Sequence, residues 1–137
     1  MGVQVYKQTG FMAAHRLPGH PKCGRLHGHN WTVEVWVNGE VDPMTDMVVD
    51  FGAISELAKR LDHKCLLDKN DDLRYKLQET DVEVFDGAPT CERLAQWFAD
   101  ELRVRMKGWH FIKVKVWESE DAYACYQIGY KGCWEGE

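Results

Sequence analysis

Residues 27–38 constrain the fold more than any other stretch. Trp31, Val33, Val35 and Val37 fall on one parity, and Thr32, Glu34 and Trp36 on the other. That is the pattern of a strand with one face on a core and one toward water. Asn38-Gly39 and Asp42-Pro43 punctuate its end. Residues 3–13 read as a preceding strand, with Val3, Val5, Phe11 and Ala13 on one parity and Gly10 marking a bulge. Residues 15–26, with two Pro and two Gly, form the loop between them.

Asp50 N-caps a helix predicted over 51–62, with Ile54, Leu57, Ala58 and Leu61 on one stripe. A polar stretch over 68–81 holds at most a helical turn, and Val82 to Phe85 read as a short strand. Thr90 N-caps a second helix over 91–106, whose stripe is Leu94, Trp97, Phe98 and Leu102. Strands over 111–118 and 123–130 close the chain. The order β-β-α-α-β-β, give or take small elements, predicts an α+β domain: an antiparallel sheet with two helices on one face.

The 137 residues fit one domain. No apolar run approaches a membrane span, and Met1 to Lys7 lacks the apolar core of a signal peptide, so a cytoplasmic protein is expected. The net charge of −5, from 17 basic and 22 acidic residues, argues against a nucleic-acid partner. Arg16, Lys22 and Arg25 gather in one loop and suit a small anion such as a phosphate ester, or are ordinary solvated surface. The five cysteines, an odd number, argue against a disulfide framework. Cys65, Cys91, Cys125 and Cys133 read as small buried hydrophobes.

His27 and His29 stand two apart at the start of the clearest strand. Period two puts both imidazoles on one face, about 6.5–7 Å apart at Cα, close enough to converge on one ion. His15, at the end of the preceding strand, comes alongside if the two strands pair antiparallel. Three His without an obvious fourth ligand describe an open catalytic zinc site. Chance placement on a half-buried strand, or a structural site closed by Cys23, are the alternatives. His20 and His110 read as surface residues.

Cys23 lies between Lys22 and Arg25, four residues before His27. Basic neighbours and an adjacent dication favour thiolate, which can abstract a proton or attack an electrophile. Asp62 and His63 end the first helix, where a carboxylate could orient an imidazole for proton relay; a His at a helix C-terminus is the plainer reading. Adjacent residues on a regular helix do not face each other, so this pair acts where the helix has ended or across a subunit boundary. Glu118 continues the parity of Ile112, Val114 and Val116. A carboxylate there calls for a partner, and a ligand with an amidine-like N–H edge supplies one; otherwise the strand has ended and Glu118 is solvated.

Ala13-Ala14-His15-Arg16-Leu17-Pro18 and Cys23-Gly24-Arg25-Leu26-His27-Gly28-His29-Asn30 resemble the opening motifs of the 6-pyruvoyl/6-carboxytetrahydropterin synthase family. Val49-Asp50-Phe51, Leu61-Asp62-His63, Pro89-Thr90-Cys91-Glu92 and Trp117-Glu118 continue the likeness in order. The resemblance implies a tunnelling fold, whose sheets join into a trimeric barrel and whose trimers stack in pairs. It implies zinc on His15, His27 and His29, Cys23 as catalytic thiol, and Asp62 and His63 as its proton-relay partners. Glu118 would anchor the pterin, Thr90 would lie near it, and active sites would form between subunits. The Cys-to-His spacing looks like the 6-carboxy branch, which feeds queuosine synthesis. The resemblance then implies 7,8-dihydroneopterin triphosphate as substrate, with acetaldehyde and triphosphate released. A 6-pyruvoyl product, aldol cleavage of dihydroneopterin, and a non-enzymatic zinc-binding module are the rivals. The stretch 68–88 is longer than in the 6-carboxy pattern.

Overall fold

The computed structural model describes residues 2–130; Cys133, read above as a buried hydrophobe, lies outside them. The elements in chain order are β1 (Val3–His15), β2 (His27–Gly39), α1 (Phe51–Leu61), β3 (Lys64–Asp68), β4 (Val82–Phe85), α2 (Cys91–Arg103), β5 (Trp109–Ser119) and β6 (Ala122–Gly129), with 3-10 turns at Asp72–Lys76 and Glu79–Asp81. They form one six-stranded sheet in the order β4-β3-β1-β2-β5-β6.

The α+β class follows from where apolar residues fall. Trp31, Val33, Val35 and Val37 on β2 and Ile112, Val114 and Val116 on β5 face the same core as Ile54, Leu57 and Leu61 of α1 and Leu94, Phe98 and Leu102 of α2. The helices start where their caps set them. Asp50 Oδ1 accepts from the Gly52 N–H at 2.8 Å, and Thr90 Oγ1 from the Arg93 N–H at 3.1 Å, satisfying donors the first turn leaves open.

Two expectations change. Gly10 is no bulge: the β1–β2 register runs unbroken from Val3↔Gly39 to His15↔His27. A Cβ on Gly10 would stand 2.8 Å from the Trp31 carbonyl oxygen, so a close backbone approach explains the glycine. The sheet is also not wholly antiparallel. β3 is an added strand that pairs parallel to both β1 and β4. Its Cys65, Leu66 and Leu67 are all buried, so it shows no alternation.

The face away from the helices is polar and aromatic. Lys113 and Lys115 reach over Trp36, at 4.9 and 5.4 Å from the ring centroid. Glu34 accepts from the Tyr6 hydroxyl at 2.6 Å and the Trp117 indole at 2.7 Å. Among the described residues, β1 uses its outer edge only at Ala13–His15, and β6 pairs on one side only. Among the described residues no helix is long and apolar enough to cross a membrane.

Candidate active site

The β1–β2 ladder sets His15 opposite His27 and Ala13 opposite His29. Odd parity turns all three rings toward the helix-covered side, beside Trp31. Their ring centroids stand 4.6 to 5.2 Å apart, and one ligand nitrogen from each lies within 4.8 Å of the others. His15 Nδ1 meets the Pro89 carbonyl at 2.8 Å, and His27 Nδ1 meets the Arg25 carbonyl at 2.7 Å. A carbonyl only accepts, so each Nδ1 carries the proton and each Nε2 keeps a lone pair. Nε2 of His15 and of His29 are buried without a hydrogen-bond partner. The buried Nε2 lone pair of His15 has no donor and calls for an electrophile, and a cation shared with His27 and His29 fits it.

Burial holds His15 and His29 below the usual imidazole range, against the Pro89 carbonyl at His15 and the Glu118 charge at His29, which pull the other way. Metal binding therefore displaces little proton at neutral pH. Trp31 floors the cluster. Its indole donates to the Ala13 carbonyl at 3.2 Å, and its ring meets His15 and His29 edge-on at 4.9 and 5.2 Å.

Glu118 stands at the mouth, with Oε1 3.6 Å from His29 Nε2 and Oε2 3.7 Å from Cys91 Sγ. It is half-exposed, so neither a buried nor a fully solvated carboxylate describes it. Thr90 lies nearby, but its hydroxyl oxygen already caps α2. Arg25 is exposed; its contribution to the cluster is the carbonyl that His27 uses. Arg16 is not a free anion receptor. Its Nε donates to Asp71 Oδ2 at 2.7 Å, in a two-pronged pair that ties the 69–81 excursion to the end of β1.

Cys23 is half-buried in the 16–26 loop and is not among the ligand atoms that converge. That weighs against a closed structural site. His20, read as a surface residue, is exposed yet organises this loop: its Nδ1 accepts from the Cys23 and Lys22 backbone N–H groups at 2.9 and 3.2 Å. Asp62 and His63 do pair within one chain, because the helix has ended. Asp62 is the C-cap, and His63 turns at φ 60°. His63 Nδ1 is 2.9 Å from Asp62 Oδ2, while Asp62 Oδ1 accepts from the Met12 N–H at 2.8 Å. The Met12 N–H first, then His63, hold Asp62 below the usual carboxylate range. The His63 side chain is 70% exposed, beside an open depression lined by Met12, Ala14, Gly28 and Asn30. No hydrogen bond or ion pair among the described residues joins it to Cys23 or to the three clustered histidines.

Cys91 and Asp71 are the residues that sequence reasoning missed. Cys91 lay inside a quoted motif, but its partner Glu118 is 27 residues away. Asp71 carries no local signal, and its partner Arg16 is 55 residues away.

The model of the family described as 6-pyruvoyl tetrahydropterin synthase matches residues 4–128. A protein of Pyrococcus abyssi named putative 6-carboxy-5,6,7,8-tetrahydropterin synthase is 34% identical over 88% of this chain and 87% of its own. The Drosophila melanogaster 6-pyruvoyl tetrahydrobiopterin synthase is 33% identical over 85% of this chain and 68% of its own. The fold matches the Plasmodium falciparum 6-pyruvoyl tetrahydropterin synthase with a TM-score of 0.74 at 21% identity, covering 94% of this chain and 99% of that one.

Proposed function

The chain belongs to the 6-pyruvoyl tetrahydropterin synthase family, and within it we propose that it converts 7,8-dihydroneopterin triphosphate and water to 6-carboxy-5,6,7,8-tetrahydropterin, acetaldehyde and triphosphate. The observation that carries this reading is the convergence of His15, His27 and His29, two of them with unpartnered buried Nε2 atoms, next to the Glu118 carboxylate. The three imidazoles would hold zinc. Bound there, zinc supplies Lewis acidity toward the hydroxyls of the substrate side chain.

The chain's own residues do the rest. Glu118 accepts the paired N–H edge of the pterin and fixes the ring. Cys23, as thiolate, removes the proton from the carbon next to the ring. His63, oriented through Nδ1 by Asp62, returns a proton from Nε2, so the ring gains hydrogen internally. Cys23 and His63 lack a contact within one chain, which supports a site shared between copies. The open edges of β1 and β6 support the same assembly, since unpaired strand edges pair with other chains unless covered. A trimeric barrel, alone or stacked in pairs, is the arrangement proposed. The four described cysteines are free, in keeping with a cytoplasmic, reducing setting and a role in queuosine synthesis.

The Cys23-to-His27 spacing and the Pyrococcus likeness favour the 6-carboxy product. The Drosophila likeness keeps the 6-pyruvoyl product as the second reading. The test is anaerobic incubation of zinc-loaded protein with dihydroneopterin triphosphate, followed by mass spectrometry and an acetaldehyde assay. Carboxytetrahydropterin with acetaldehyde is expected. Pyruvoyltetrahydropterin without acetaldehyde would move the product, and unchanged substrate would sink the reading.

A further inference from the structure

Glu118 sits where the ladder of β5 with β2 ends and its ladder with β6 is interrupted. Trp117 pairs with Thr32 on one side and Tyr123 on the other. The β5–β6 register then shifts between Trp117 and Ser119, and Glu118 has no Cα partner in either neighbouring strand. A residue at such an irregularity is re-aimed out of the regular pleat, so its direction must be fixed by side-chain neighbours. Two stand within reach: His29 Nε2 at Oε1 and Cys91 Sγ at Oε2. His29 Nε2 cannot donate to Glu118 while its lone pair serves a metal. That leaves the Cys91 thiol, among the described residues, as the side-chain donor to the carboxylate.

We propose that Cys91 is a positioning residue whose S–H donates to Glu118 Oε2 and sets the carboxylate plane for the two-pronged N–H edge of a pterin-class ligand. The inference rests on the proposed pterin chemistry. Two further observations support it. Burial, with the Glu118 and Glu92 charges, pushes the thiol's pKa up to about 12, so it stays a protonated donor at neutral pH. Cys91 also opens α2 two residues after Pro89, whose carbonyl holds His15. One short segment thus fixes both a metal-facing imidazole and the carboxylate beside it.

The experiment titrates zinc-loaded wild type, Cys91→Ala, Cys91→Ser, Glu118→Gln and the Cys91→Ala/Glu118→Gln double variant with 7,8-dihydroneopterin by calorimetry. Loss of one hydrogen bond from a weak thiol donor, of ordinary net strength despite the charged acceptor, predicts about five-fold weaker binding for Cys91→Ala. Cys91→Ser, which keeps a donor, should bind within about two-fold of wild type. In the Glu118→Gln background, Cys91→Ala should add nothing, because the carboxylate it orients is gone. In turnover, the Cys91→Ala defect should fall on KM with kcat unchanged. Wild-type-like binding by Cys91→Ala, a serine variant as weak as the alanine one, or an undiminished alanine effect beside Glu118→Gln would each overturn the inference alone. A wild type that does not bind would overturn the pterin reading and this inference together.

Discussion

The two halves of the candidate site are built differently. His15, His27 and His29 sit on paired strands, converge within 4.8 Å, and have a buried indole beneath them. Asp62 and His63 hang from the end of α1 with the imidazole largely in solvent, and Cys23 sits in a loop. The metal-facing half is therefore preorganised in a single chain, because neighbours in one ladder need no other partner. The proton-moving half is a set of loose ends in one chain, each correctly oriented locally but not brought together. Under the proposed assembly a second copy would supply the missing surface, along the unpaired sheet edges.

The largest expected effect tests that division directly. Cys23→Ala and His63→Ala should each lose on the order of a thousand-fold in turnover, as loss of a general acid or base does. Mixed and reassembled together, the two inactive variants should regain part of the wild-type rate, since some sites then hold an intact Cys23 facing an intact His63. A mixture as inactive as its parts would break the comparison and put the whole relay in one chain.

The next effect concerns the preorganised half. His27→Ala should weaken zinc binding by about a hundred-fold or more in chelator competition, because the ion loses one of three protein ligands. A loss below ten-fold would mean that Cys23 or another group carries the ion. The pH dependence follows from the depressed imidazoles. Burial holds His15 and His29 below 6.5 in the folded chain, so the unfolded chain binds more protons as pH falls through 6.5. Metal-free protein should lose denaturant stability from pH 6.5 downward, through the folded values, and show no such slope above it. A His15→Gln/His29→Gln variant with the same slope would assign it elsewhere.

The same contrast explains what could be read in the sequence. β2, both helices, their caps and the His27/His29 pair were legible because each depends on local periodicity or near neighbours, and His15 because antiparallel pairing of consecutive strands brings it alongside. β3 was not, since a five-residue strand buried on both faces has no alternation to detect. Gly10 looked like a bulge because a glycine in a strand signals either a bulge or a close approach, and only the register separates them. Arg16 read as an anion contact or solvated surface because Asp71 lies on a distant excursion, and Cys91, which opens α2, looked inert because Glu118 is on β5. Contacts of long sequence separation leave no local pattern, and both of these residues are held by such contacts.

The smallest expected effect is on stability, and it separates function from fold at His63. A non-glycine residue at φ 60° carries strain of about 1 kcal/mol, which the Asp62 pair and the Met12 backbone hold in place. His63→Gly removes that strain along with one exposed hydrogen bond, two changes of similar size and opposite sign. The thermal midpoint should thus move by less than about 4 °C while turnover collapses. A fall well beyond that would make His63 a structural residue whose side chain braces the end of α1. An unchanged midpoint with lost activity would mean that the strained turn serves to hold an imidazole outward, where another copy can use it.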